Sequence, residues 1–194
     1  NCKVCQLVKL YKNGKPYKMS KRAGEFISAQ DLLNEVSKDS IRFMMLSRSN
    51  DMELDFDFEK VKEKTKDNPV FYVQYAHARA RSVLRQNRKP SAYTNLSLLT
   101  DIHEIRLIKH LASWPRYIET AVQNYEPHRI AFYLMDLASA FHGLWNAGRD
   151  DPNLKFIQET NDELTNARMH LVEATAMVTK LGLNLLSINA LEEM

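Results

Sequence analysis

The stretch DNPVFYVQYAHARARSVLR, residues 67–85, decides how this chain folds. Asn68 is a helix-capping residue type and Pro69 suits the first helical position, where its missing N–H costs nothing. The spacing then predicts one long helix from Val70 to about Arg88. At about 100° per residue, Val70, Val73, Ala76, Ala80, Val83 and Leu84 share a broad arc, the side expected to face a core. Tyr72, Tyr75, Arg79 and Gln86 share the adjoining arc. Rings and a guanidinium on one strip suit unpaired bases, each of which has a face to stack and a phosphate beside it. They equally suit boundary residues whose hydroxyls reach water. Periodicity does not separate the two readings. His77 falls on the apolar side and reads as a core histidine.

Downstream of the linker-like NRKPSAYTNLS, helical patterns recur at about Thr100–Leu111, Pro115–Tyr125, Pro127–Ala147 and Thr165–Leu181. Pro115 and Pro127 suit helix starts, and Gly148 and Gly182 suit helix ends. No strand pattern follows residue 60, so this part reads as a helical bundle. Upstream, CQLVKLY alternates and runs into Asn13-Gly14, the preferred two-residue hairpin turn, then KPYKM. Ser28 with Asp31 three residues on forms a capping-box start for a short helix to Val36. A second helix is expected from Asp39 to about Ser47, then an extended turn and a further helix start within NDMELDFDFEKVKEK. The expected fold is mainly α: a β-hairpin and helical portion over 1–67, then an α-helical domain over 68–194.

The 194 residues are 44% hydrophobic and 26% charged, an ordinary globular balance, and no run approaches the length of a membrane span. Cys2 and Cys5 form a lone CxxC with no second pair, and the six histidines show no ligand spacing, so no metal site is expected. The cysteines read as reduced thiols of a cytoplasmic protein. Net charge is only +3, but its distribution is uneven. Lys9 to Arg22 carries six basic residues and no acid, and Asn68 to Thr100 again lacks acids while holding Arg79, Arg81, Arg85, Arg88 and Lys89. Two basic stretches around an acidic one suggest two contact surfaces for a polyanion. Trp145, in FHGLWN, reads by itself as a core residue, and Asp55 and Asp57 of DFDF read as solvated.

Within the first basic stretch lies YKMSKRAG, residues 17–24. Lysine ammoniums are mobile point charges, and a nearby glycine lets the backbone move, so such a loop suits a polyphosphate; a plain solvated turn is the alternative. KMSKRAG resembles the KMSKS loop of class I aminoacyl-tRNA synthetases. Its continuation through DSIRFMMLSRS, LDFDF and DNPVFYVQYAHARARSVLR is similar to the arginyl-tRNA synthetase family, with QYAHAR the most diagnostic segment. The ending, ARMHLVEATAMVTKLGLNLLSINALEEM, resembles that family's DALR anticodon-binding domain.

The resemblance implies a ligase that joins arginine to tRNA-Arg through arginyl-adenylate, using ATP with Mg2+. It implies that Lys18, Met19, Ser20, Lys21 and Arg22 form the ATP-binding loop, with Lys18 and Lys21 stabilising charge as pyrophosphate leaves; Arg22 stands where the general motif ends in serine. It places Tyr72 and Tyr75 on the helix facing the anticodon loop, with Arg79 a further turn along by helical spacing, and Trp145 and Met194 where displaced anticodon bases are held. Class I enzymes also need a His-x-Gly-His element, which does not occur in this sequence. The expectation is therefore a carboxy-terminal portion, working as a monomer without a membrane and inactive by itself. Rival readings are a free-standing RNA-binding module derived from a synthetase, and a related enzyme such as a cysteinyl-tRNA synthetase, against which QYAHAR argues.

Overall fold

A computed structural model describes residues 2–17, 27–63, 65, 67–86 and 94–194. The loop Lys18–Arg22 lies outside the described residues, so the expectation for it is taken up only as a proposal below. The hairpin forms as its turn residues dictate. Strand β1 (Val8–Lys12) pairs antiparallel with β2 (Lys15–Pro16), and Lys12 faces Lys15. Asn13 and Gly14 both take positive φ, 53° and 71°, the left-handed backbone of a turn whose twist matches the strands. On its other side β1 pairs in parallel with β3 (Leu54–Asp57), giving the order β2-β1-β3. The crossover between the parallel strands carries α1 (Ala29–Glu35) and α2 (Lys38–Leu46). Ser28 and Asp31 close the expected capping box on α1.

Alternation along β3 buries Leu54 and Phe56 and leaves Asp55 exposed, while Asp57 caps α3 (Phe58–Lys62) by accepting from the Glu59 N–H. Leu54, Phe56, Phe58, Val61 and Val36 form a small core beneath the sheet, with Ile41, Met44 and Met45 of α2 packed on it. The opposite side of α2 contributes Phe43 and Leu46 to a second, larger core. One helix thus faces both.

The large core is built by α4 (Pro69–Gln86), α5 (Ile102–Ala112), α6 (Trp114–Asn124), α7 (His128–Asp150) and α8 (Asp162–Leu185). Helix α7 is its axis and packs on each of the other four. Tyr133, Leu134, Leu137, Phe141 and Leu144 of α7 are fully buried, each contributing roughly 1.5–3 kcal/mol through the apolar surface removed from water. The buried Tyr133 hydroxyl donates to the His110 carbonyl at 3.0 Å, which satisfies it, and burial pushes its phenol above the ordinary range. On α4 the predicted aliphatic arc is the buried one: Val70, Val73, Ala76, Ala80 and Val83 all reach the core.

Three local expectations are corrected. Gly148 and Gly182 do not end helices; both lie inside them. A Cβ at Gly148 would stand 2.8 Å from the Leu154 carbonyl oxygen, and one at Gly182 would stand 2.7 Å from Leu134 Cδ2. Gly148 is required by the approach of backbone, while at Gly182 the Leu134 side chain would have to turn aside; in both, the signal read as helix termination is a packing signal. Asn68 precedes α4 as expected but does not cap it with its side chain. Its Nδ2 donates to the carbonyls of Val61 and Glu63, at 2.9 and 2.7 Å, tying the end of α3 down, and its buried Oδ1 accepts no hydrogen bond from the described residues.

After α8, Ser187 adopts positive φ and turns the chain back along α4. The tail is fastened by a row of α4 side chains spaced three or four residues apart. Gln74 donates to the Asn189 carbonyl at 2.8 Å, His77 Nδ1 to Leu191 at 2.8 Å, and Arg81 pairs with Glu192 at 2.6 Å. Arg85 donates to the Glu192 carbonyl and pairs with Glu193 at 3.6 Å. His77 is buried as expected, but among the described residues only Nδ1 finds a partner and Nε2 finds none, and burial lowers the ring's pKa.

Candidate nucleic-acid interface

The tail fixes the position of Glu193 and Met194, and these residues complete a cleft. Helices α4 and α7 cross the core side by side, and residues 193–194 lie beside them. Between them opens a cleft of about 390 Å³, whose walls include Tyr75, Arg79, Arg85, Trp145, Glu193 and Met194. Four of the residues expected to handle RNA therefore meet in one place: Tyr75, Arg79, Trp145 and Met194. Met194 is separated from Tyr75 by 119 positions (194 minus 75) and is 51% exposed. Tyr75 and Met194 also wall a second cleft of about 830 Å³ toward α2 and α3, so they form the ridge between the two.

Tyr72 does not line the first cleft. It packs half-buried against the core, its ring 4.6 Å from that of His142. The expected strip of two equivalent tyrosines is thus resolved into a supporting ring, Tyr72, and a cleft-lining ring, Tyr75. Phe71 stacks on Tyr75 with centroids 6.0 Å apart and planes at 19°.

Arg79 is the centre of the arrangement. Its guanidinium carbon lies 4.3 Å from the centroid of the Tyr75 ring and 4.5 Å from that of Trp145, so the cation is held between two aromatic rings. One terminal nitrogen donates to the Tyr75 hydroxyl at 2.6 Å, the other to His142 Nδ1 at 2.9 Å. Among the described residues no carboxylate pairs with it. The bulk of the second basic stretch behaves otherwise: Arg81 and Arg85 are committed to Glu192 and Glu193, and Arg88 and Lys89 lie outside the described residues. Among the described cations of the second stretch, Arg79 is thus the one without a carboxylate partner, and it is set among rings. In the first stretch Lys9 and Lys12 are likewise paired, with Glu53 and Glu35.

His142 is the residue that sequence reasoning missed. It sits one turn before Trp145 on α7, and that i, i+3 spacing within FHGLWN was the available signal. Desolvation in the core, with the Arg79 charge acting in the same direction, lowers its pKa to about 4 against the pull of the Tyr72 carbonyl. The ring is therefore neutral at neutral pH. Among the described residues no group of three or more His, Cys, Asp or Glu side chains could hold a metal. No helix among them is long and apolar enough to cross a membrane.

Comparison with known proteins joins this geometry to a family. The chain is 52% identical to the arginine–tRNA ligase of Agrobacterium fabrum over 200 aligned positions, and 54% identical to that of Wolbachia pipientis wMel over 192. The alignments take in 98% and 99% of this chain but 34% of each relative, so the chain spans about a third of their length. Among solved structures, the Thermus thermophilus arginyl-tRNA synthetase superposes with a TM-score of 0.73 at 25% identity, over 98% of this chain and 35% of that one. A Campylobacter jejuni structure described as an arginyl-tRNA synthetase gives 0.79 at 27% identity, over 98% and 40%. The profile of the DALR anticodon binding domain matches residues 73–194, the very segment that supplies every wall of the cleft. This chain belongs to the DALR anticodon-binding domain family.

Proposed function

We propose that the chain serves an arginine–tRNA ligase, with residues 68–194 receiving the anticodon of tRNA-Arg in the cleft between α4 and α7. The observation that carries this reading is Arg79, a cation held between the Tyr75 and Trp145 rings without an acidic partner, in a chain whose 52–54% identical relatives are arginine–tRNA ligases. Opened anticodon bases need planar surfaces, and their phosphates need positive charge. Tyr75, Trp145 and Met194 supply the surfaces, Arg79 the charge, and Tyr72 supports them from behind.

In the longer protein, residues 1–67 provide the loop Lys18, Met19, Ser20, Lys21 and Arg22. Lys18 and Lys21 stabilise the triphosphate of ATP, carried with Mg2+, as arginine is adenylated. This is electrostatic catalysis by placed cations, in which the transition state gains more than the ground state. Lys21→Ala then lowers kcat much more than it raises the KM for arginine, by about 2.7–4 kcal/mol of transition-state stabilisation. The protein acts as a cytoplasmic monomer, its partner being tRNA-Arg.

The RNA reading is tested by titrating tRNA-Arg, and tRNA-Arg with its anticodon bases replaced, into the wild type and Tyr75→Ala. Loss of one stacking ring weakens tRNA-Arg binding by about 1–3 kcal/mol and narrows the gap between the two RNAs. A Tyr75→Ala protein that melts lower yet separates the two RNAs as well as wild type would contradict the reading.

A further inference from the structure

His142 is 5% exposed and touches the cleft only through other residues. Five groups converge on its ring. Arg79 donates to Nδ1 at 2.9 Å, and since a guanidinium only donates, Nδ1 must carry the lone pair. The proton is then on Nε2, which points at the Tyr72 carbonyl at 3.4 Å. The rings of Tyr72, Tyr75 and Phe141 lie 4.6, 5.6 and 6.0 Å from the imidazole, fixing its plane. Arg79 is thereby gripped at both ends by uncharged acceptors, His142 Nδ1 and the Tyr75 hydroxyl.

We propose that His142 is a positioning residue for RNA specificity: it sets the guanidinium of Arg79 between the Tyr75 and Trp145 rings without neutralising it, so that one fixed planar cation faces an unstacked nucleotide in the cleft. This rests on the proposed RNA-binding role of that cleft. The chemistry at position 142 is narrowly constrained. A carboxylate there would cancel the charge the RNA needs. An apolar ring would leave the guanidinium without its second acceptor and free to leave the rings. A charged imidazole would repel it, and burial among Tyr72, Tyr75 and Phe141 prevents that state at neutral pH. What remains is a neutral acceptor on a flat, packed side chain.

The test uses the longest chain the gene encodes and two substitutions. His142→Phe keeps the ring and removes the acceptor; His142→Asn loses the ring but places an amide oxygen at the bond distance from Cα that Nδ1 occupies. For each, Kd is measured for tRNA-Arg and for tRNA-Arg with its anticodon bases replaced, alongside Tm. Wild type separates the two RNAs, and His142→Phe reduces that separation about tenfold, the scale of one hydrogen bond to a charged group. His142→Asn recovers most of it, even where its Tm falls below that of His142→Phe. A packing role predicts the reverse ranking, the better-packed phenylalanine discriminating better, and that result overturns the proposal. Equal discrimination by wild type and His142→Phe overturns it too. If wild type itself fails to separate the RNAs, the role of the cleft falls, and the inference about His142 with it. Should His142→Phe fail to fold, His142→Asn decides alone: discrimination within about threefold of wild type supports the acceptor role, and loss to the level of Tyr75→Ala overturns it.

Discussion

Two arginines sit inside the helical bundle and are treated in opposite ways. Arg168 on α8 and its partner Glu104 on α5 have side chains 4% and 1% exposed, paired at 2.7 Å. Arg168 also donates to the carbonyls of Asn153 and Lys155, at 2.7 and 2.6 Å, and Glu104 closes the capping box with the Asp101 N–H at 3.0 Å. The two charges cancel there, and Arg168 Nε and Nη1 and both Glu104 oxygens are bonded inside the protein. Arg79 is half-buried beside a cleft, rests on two rings, and among the described residues bonds only to neutral acceptors. Burying an ion is costly, and the Arg168 region meets that cost with a counter-ion. The Arg79 region meets it with aromatic faces, which leave the positive charge available to a ligand. A cation whose charge is cancelled holds structure together; one whose charge is left open is positioned for a partner.

Removing one member of the buried pair should give the largest effect. Glu104→Ala leaves Arg168 buried and unpaired, and the expected loss is about 3–5 kcal/mol in urea unfolding. The double replacement Glu104→Leu with Arg168→Met should recover part of it, because it removes the unpaired charge but leaves the Asn153 and Lys155 carbonyls and the Asp101 N–H without these partners. If Glu104→Ala melted like wild type, Arg168 would not be the structural member of the comparison.

Acid should weaken the Arg79 region selectively. The folded pKa of His142, about 4, lies below its ordinary 6.5, so the unfolded chain takes up protons first as pH falls. The contribution is therefore whole above about pH 6.5 and is lost progressively as pH falls toward 4, amounting to about 2 kcal/mol by pH 5. The lowered pKa of His77 acts in the same direction. Urea unfolding at pH 7.5 and 5 should show this loss in wild type and a smaller one in His142→Phe.

Of similar size is the effect at the loop Arg168 grips. Gly148→Ala drives a Cβ into the Leu154 backbone and should cost about 1–3 kcal/mol. On the same helix Gly143 has nothing within 4 Å, so Gly143→Ala should be neutral or stabilising by up to about 1 kcal/mol through helix propensity. Equal melting temperatures for the two would show that the Leu154 loop moves aside freely.

Much of this was legible in the sequence where the signal is local. Asn13-Gly14 specifies its turn through two left-handed residues, Ser28 and Asp31 specify a cap, and the aliphatic arc of α4 identifies the buried face. These follow from backbone sterics and from the helical repeat, which act within a few residues. What stayed hidden depends on contacts between distant segments. Gly148 and Gly182 carry the same local signature as helix terminators, and only the approach of Leu154 and Leu134 distinguishes them. Arg81 and Arg85 look like free basic residues until the tail supplies Glu192 and Glu193, more than 100 positions away. His142 has no motif of its own; its meaning comes from Arg79, 63 positions earlier. Of the candidate site, the resemblance supplied the residues and the fold supplied the division of labour among them.

The central claim is that RNA bases enter the cleft walled by Tyr75, Arg79, Trp145 and Met194. Trp145 can report on it directly, since the chain has only two tryptophans. The other, Trp114, packs against Tyr133 at 4.8 Å and is replaceable by another ring. In Trp114→Phe, fluorescence then comes from the cleft alone. Titration with tRNA-Arg should quench it saturably at the Kd of binding, while tRNA-Arg with replaced anticodon bases should quench it little at equal occupancy. Equal quenching by both RNAs, or binding of tRNA-Arg with no change at Trp145, would contradict the account.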